Sequence, residues 1–141
     1  MPKVVRFVAA IAVGLLVWVV VATLGNFVLR AIIHDYHSQE IMVSFSLISQ
    51  LGRLALGAVS TAVAAAATAK IGRAGVGAPL ALGVVLLALF VPVHVSLWQK
   101  FPVWYHLFFL VSLPLVSYLV GRLFAPAALE PTRSAATHAE R

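Results

Sequence analysis

Five polar side chains stand near one end of otherwise apolar segments, and they are the best candidates for chemistry: Asn26, Gln50, Arg53, His94 and His106. Arg53 carries a permanent charge on a planar fork of donors that suits phosphate or carboxylate groups. Ionisable groups within a membrane usually face the bundle interior or a water-filled cavity, because exposure to lipid is costly. These residues predict a small, outward-facing polar pocket for an anionic group. The alternative is that Arg53 extends to the headgroups and the histidines are interfacial anchors.

The partners of Arg53 are expected to be neutral, because all four acidic residues are expected outside the membrane core: Asp35, Glu40, Glu130 and Glu140. Amide oxygens of Asn26 or Gln50, a histidine nitrogen or water would then accept its hydrogen bonds. The lack of an acid in the core also argues against a proton-coupled exporter, which normally carries one there.

The histidines suggest two further alternatives. His34 and His37, together with Asp35, Glu40, His94 and His106, are possible metal ligands, although the spacing His-Asp-Tyr-His matches no specific metal motif. His94 and His106 could instead be the axial ligands of a b-type haem. Axial ligands approach from opposite sides of the ring, however, whereas these two belong to one tight hairpin. No cofactor is predicted.

The composition is that of an all-α integral membrane protein. The 141 residues are 62% hydrophobic and 10% charged, whereas a water-soluble domain has roughly 25% charged residues. Cysteine is absent, which excludes disulfides and thiolate metal sites. The basic residues are spread over loops and ends, so no nucleic-acid partner is predicted. No phosphate-binding loop, dinucleotide fingerprint or catalytic triad is found, which argues against an enzyme.

Four apolar stretches predict a four-helix transmembrane domain over residues 1–124, with a disordered cytoplasmic tail over 125–141. The predicted spans are about 4–29, 41–69, 78–97 and 103–124. The second would be about 43 Å long against a hydrocarbon core of about 30 Å, so its first turns should tilt or lie at the interface. Asp35 or Ser38 is the expected N-cap of this helix.

Small residues at four-residue spacing predict where the helices pack closely. Seven residues are expected at these contacts: Ala10, Gly14, Gly57, Ser60, Ala64, Ser117 and Gly121. The hairpin between the last two spans carries side chains that prefer the membrane interface: Trp98, Lys100, Trp104 and Tyr105. His94 and His106 lie six residues either side of Lys100, so an antiparallel hairpin should place them at one depth.

The positive-inside rule predicts the orientation. With both termini cytoplasmic, three cations face outward, Arg30, Arg53 and Lys100, and seven face inward: Lys3, Arg6, Lys70, Arg73, Arg122, Arg133 and Arg141. The opposite orientation would reverse this ratio, so N-in, C-in is expected.

The string His94-x-x-x-Trp98-x-x-Phe101-Pro102-x-Trp104-Tyr105-His106, together with the segment 50–58, resembles small four-span proteins of the bacterial inner membrane. The resemblance implies a four-helix fold and that location, and it implies no particular activity. Three functions are considered. The first is a structural or accessory subunit that self-associates or docks on a larger membrane complex. The second is a small-molecule binder or transporter with a pocket around Arg53. The third is a metal- or haem-binding redox subunit that uses His94 and His106.

Overall fold

A computed structural model of the chain describes residues 2–72 and 75–124, and these residues form five helices and no strand. The helices are α1 (Lys3–Ile32), α2 (Tyr36–Met42), α3 (Leu47–Gly72), α4 (Gly77–Ser96) and α5 (Val103–Leu123). All except α2 are long and apolar enough to cross a membrane. The predicted tail over 125–141 and the cation Arg73 lie outside the described residues.

The prediction of one continuous helix over 41–69 is wrong. The backbone of Val43 is left-handed, with φ of 50°, and this residue ends α2, while α3 begins four residues later. Ser46 immediately precedes α3 and caps its first turn, because its hydroxyl oxygen accepts the Ser49 N–H at 3.3 Å. Asp35 precedes α2 without a side-chain cap, and Ser38 lies inside α2. A serine cap therefore outweighs helix continuation here, and α2 is free to fold back.

The four long helices form an antiparallel bundle. α1 packs along α3, α4 packs along α5, and α3 also contacts α4 and α5. As a result α3 is the most buried helix and α1 the least. The connection 33–46, which contains α2, and the connection 97–102 lie at one end of the bundle, called here the hairpin end. The end with the N-terminus of α1 and the C-terminus of α5 is called the terminal end.

Small residues allow the helices to approach closely. The seven predicted packing residues are all buried: Ala10, Gly14, Gly57, Ser60, Ala64, Ser117 and Gly121. A Cβ atom on Gly57 would lie 2.9 Å from the ring of Phe109, and one on Gly121 would lie 3.1 Å from Pro79. These seams therefore close within one chain, so they are not available as a surface for a partner.

The middle of the bundle is an apolar core with a few polar contacts between helices. Leu82, Leu86 and Leu113 are almost fully buried in it. The indole nitrogen of Trp18 in α1 donates to the Thr61 hydroxyl of α3 at 3.1 Å. Trp18 also lines a cavity that extends from this contact toward the hairpin end.

Candidate functional site

Glu40 is the centre of a polar network at the hairpin end. Its carboxylate accepts a hydrogen bond from Asn26 Nδ2 at 3.0 Å and another from Arg30 Nε at 2.7 Å. Arg53 Nη1 lies 3.8 Å from the same carboxylate and donates to the Tyr36 hydroxyl at 3.1 Å. The Tyr36 hydroxyl in turn donates to Asn26 Oδ1 at 3.1 Å. The short helix α2 thus links α1 to α3.

This network corrects the expectation that Arg53 has only neutral partners. α2 folds back over the ends of α1 and α3. Glu40 therefore lies close to the Arg53 guanidinium, although it precedes the membrane-length helix α3 in the sequence. The ring of Phe45 covers Arg53, with Cζ 4.6 Å from the ring centroid. Arg53 Nε is buried and has no acceptor among residues 2–72 and 75–124. About a third of the Arg53 side chain, 34%, remains exposed.

The network also sets the protonation of the two titratable groups of α2. Burial alone would raise the pKa of Glu40, but hydrogen bonds from Asn26 and Arg30, with the charges of Arg30 and Arg53, lower it below its ordinary value. Burial raises the pKa of Tyr36 above 10.0, against the opposing effect of Arg53. Glu40 is therefore a carboxylate at neutral pH, and Tyr36 keeps the proton that it donates to Asn26.

A cavity of about 420 Å³ extends from this network toward the middle of the bundle. Asn26, Arg30, Glu40 and Arg53 line it at the hairpin end. Its other walls are mostly apolar and come from all four long helices: Trp18, Val19, Ala22, Thr23, Phe27, Leu56, Gly57, Phe90, Tyr105 and Phe109. Val19 and Phe27 remain 55% and 59% exposed, so the cavity is open along α1. It is a groove with a polar end and an apolar body.

His94 and His106 form a second polar feature at the hairpin end, and it is more buried than the first. Their Nδ1 atoms lie 2.8 Å apart, and both side chains are buried. Trp98 stacks on His106 with ring centroids 4.7 Å apart, and Phe109 stacks on His94 at the same separation. His106 Nε2 is buried and has no hydrogen-bond partner among the described residues.

A small cavity of about 70 Å³ lies beside the two histidines. It is large enough for about two water molecules. Arg53 and Tyr105 line both this chamber and the large groove, as do Phe90 and Phe109. These four residues are therefore a common wall between the large groove and the histidine pair.

The structure brings together four of the five residues of the predicted pocket. Asn26 and Arg53 share the Glu40 network, while His94 and His106 share the small cavity with Arg53. Gln50 stands apart, because its amide nitrogen donates to the Phe45 carbonyl at 2.9 Å and its amide oxygen has no partner among the described residues.

The four predicted interface anchors do not share one environment. Lys100 and Trp98 are exposed and Trp104 is partly buried. Tyr105 is only 4% exposed, so its role as an interface anchor does not fit its position. It points inward because its ring stacks on Phe101 at 4.7 Å and its edge lines both cavities.

The histidines do not form a metal cluster in the structure. No group of three or more His, Asp or Glu side chains within residues 2–72 and 75–124 is placed to hold an ion. His34 and His37 are 95% and 69% exposed, and their ring nitrogens lie 3.2 Å from Asp35 and 3.9 Å from Glu40 respectively. A six-coordinate haem iron would need the nitrogens of His94 and His106 about 4 Å apart, with the ring plane between them. Their Nδ1 atoms are in direct contact at 2.8 Å, so no haem iron fits between these two atoms.

Sequence reasoning missed three residues of the site, namely Tyr36, Glu40 and Phe45. Two signals could have located them. The second predicted span was longer than a membrane requires, and Ser46 stands three residues before Ser49 in a position to begin a helix. A helix that begins at residue 47 leaves the preceding polar segment free to cover the hairpin end.

No protein-family model, curated protein or solved structure matches the chain. Fold and site together define a small helical bundle with four helices long and apolar enough to cross a membrane, an amphipathic groove and a buried histidine pair. Its function is therefore inferred from the chemistry of these two features.

Proposed function

We propose that the protein binds an anionic amphipathic molecule in the groove, with the anionic group at Arg53 and the apolar part between α1 and the pair α4 and α5. The shape of the groove and the residues that line it support this proposal. Two arginines, Arg30 and Arg53, and one carboxylate, Glu40, lie at its polar end. Because Glu40 is ionised and offsets only one of the two positive charges, this end keeps one excess positive charge. Its remaining walls are mostly aromatic and aliphatic, which suits a hydrocarbon body.

The groove opens sideways along the exposed face of α1, so a membrane-resident molecule could enter from the bilayer without crossing water. The volume of about 420 Å³ falls within the range of small-molecule sites, roughly 300–1,000 Å³. Lipid phosphates and sulfates offer the bidentate acceptor geometry that a guanidinium matches. We therefore favour a phosphate- or sulfate-bearing amphiphile over a simple inorganic anion.

We further propose four membrane spans in a bacterial inner membrane, with both termini cytoplasmic. Four cations of the described chain lie at the terminal end: Lys3, Arg6, Lys70 and Arg122. At the hairpin end, Arg30 and Arg53 are engaged with Glu40, which leaves Lys100 as the cation of that end without a carboxylate partner among the described residues. The groove would then receive its ligand from the outer half of the bilayer.

The accessory-subunit hypothesis rested on the small-residue seams, and those seams are occupied within the chain. It stays a separate prediction, to be tested by purification in mild detergent. A larger protein that co-purifies stoichiometrically would favour it, whereas retained anionic lipid without a partner would favour the groove.

Binding can be tested with decyl sulfate, by calorimetry in a nonionic detergent. Arg53→Ala should reduce binding to the level of micelle partitioning, whereas Arg53→Lys should keep part of it because charge remains and the fork is lost. Lys100→Ala, which removes an exposed cation of the same end, is the matched control and should bind as the wild type does. Ala22→Phe should fill the apolar wall and weaken decyl sulfate more than inorganic sulfate. Equal binding by Arg53→Ala and the wild type would overturn the proposal.

A further inference from the structure

The histidine pair can hold only one proton between its two contacting nitrogens. At 2.8 Å, one Nδ1 must carry the hydrogen and the other must accept it, so the two neutral rings hold complementary tautomers. His106 then has either a bare Nε2 or an Nε2–H, and this atom is buried without a partner in the described chain. A buried polar atom without a partner is costly, so its presence beside a cavity calls for an explanation.

Burial by itself disfavours a charge on either ring, but two features of the surroundings would stabilise one added proton. Aromatic faces lie against both rings: Trp98 on His106, and Phe109 and Tyr105 on His94, with centroids between 4.7 and 6.0 Å apart. An imidazolium so placed gains cation–π attraction. The shared hydrogen bond would also become charge-assisted, and such bonds are stronger than neutral ones.

Arg53 is the group that opposes this proton. Of the residues that line the small cavity, Arg53 from α3 is the one with a permanent charge, and Tyr105 from α5 is the other titratable neighbour of the pair. Tyr36 and Glu40 of α2 lie behind Arg53, where they contact its guanidinium. A second positive charge in this enclosed space is unfavourable while the groove is empty, because like charges repel strongly where little water screens them.

We propose that the His94–His106 pair is a proton-binding site that takes up one proton when an anion occupies the groove at Arg53. This inference rests on the proposed function, since the anion supplies the negative charge that offsets Arg53. No covalent step is involved, and the proton is taken up from water. The protein would then bind an anion and a proton together, which is the stoichiometry that proton-linked uptake of an anionic molecule requires.

The direct test is to count protons by calorimetry, with decyl sulfate titrated in buffers of different ionisation enthalpy between about pH 5 and pH 8. The sulfate group does not titrate in this range, and Glu40 stays ionised because its pKa is lowered. The wild type should take up close to one proton per ligand, and its Kd should rise by up to about tenfold per pH unit. His94→Asn and His106→Asn should bind without proton uptake. The double variant His34→Gln/His37→Gln, which removes exposed histidines, should keep it.

Should the asparagine variants fail to fold, the wild type labelled with ¹⁵N-histidine gives a second measurement. A coupling between the two Nδ1 nuclei would report the shared hydrogen bond, and decyl sulfate at constant pH should move the nitrogens of one of the two rings to imidazolium shifts. Binding without proton uptake, or uptake lost in the His34→Gln/His37→Gln variant, would overturn the inference while leaving the groove function intact. Absence of specific binding to the wild type would overturn both.

Discussion

Glu40→Gln tests whether α2 is held by the charge of one carboxylate. The substitution keeps the side-chain shape but removes the charge that Arg30 and Arg53 share. A hydrogen bond to a charged group contributes about 1.5–3 kcal/mol to stability, and an exposed ion pair up to about 1 kcal/mol. Glu40 is only 16% exposed, whereas Arg30 is 39% exposed, so the loss should fall between these limits, at about 2 kcal/mol. On the scale of water-soluble domains this lowers Tm by about 5–10 °C.

The lowered pKa of Glu40 determines how the stability of the fold should change with pH. The pKa of Glu40 is lower in the folded protein than its ordinary 4.5, so the stabilisation is complete above pH 4.5 and is lost as pH falls through the folded-state pKa. Wild-type Tm in mild detergent should therefore drop in this acidic range, and the Glu40→Gln variant should lack that component. Asp35→Asn is the control, because Asp35 is 66% exposed and its left-handed backbone suits asparagine. A Glu40→Gln protein that melts within about 0.5 kcal/mol of the wild type would refute the reasoning.

Two further predictions concern the fold. Gly57→Leu should destabilise the bundle by about 1–3 kcal/mol, because its Cβ would lie 2.9 Å from the ring of Phe109; Gly77→Leu, where a Cβ meets nothing within 4 Å, should melt nearly as the wild type does. Equal melting of the two variants would contradict the packing seam. Reporter fusions after Arg141 and after Lys100 should report opposite sides of the membrane, and the same side for both would exclude the N-in, C-in arrangement.

The long helices were predictable because their signals are local. The apolar stretches at 78–97 and 103–124 match α4 (Gly77–Ser96) and α5 (Val103–Leu123) to within one residue at each end. A glycine-rich turn precedes the first, and Pro102, which precedes the second, has a backbone suited to a helix start. Length and composition alone define these boundaries, since a membrane-length apolar run has few alternatives.

The site was only partly predictable, because the contacts of Tyr36 and Glu40 with Arg53 depend on α2 folding back between α1 and α3. Symmetry about Lys100 predicts that His94 and His106 lie level, but it does not predict the contact between their Nδ1 atoms. Glu40 reaches Arg53 only because α2 ends at a left-handed Val43, a conformation that a β-branched residue rarely adopts and that tertiary contacts must stabilise. α2 has only seven residues, so its sequence contains no periodic pattern from which this fold-back could be predicted.

Arg53 is the residue through which the two cavities influence each other, and the consequences of removing it differ from those of removing the histidines. Its guanidinium lines the groove and the small chamber at once, so a charge placed in either space changes the electrostatic potential in the other. Without Arg53 the groove loses its anion-binding group and the histidine pair loses the charge that opposes protonation. Without the histidines, the groove keeps Arg53, Arg30 and its apolar walls. Anion binding should therefore survive loss of the pair, whereas proton uptake on anion addition should not survive loss of Arg53.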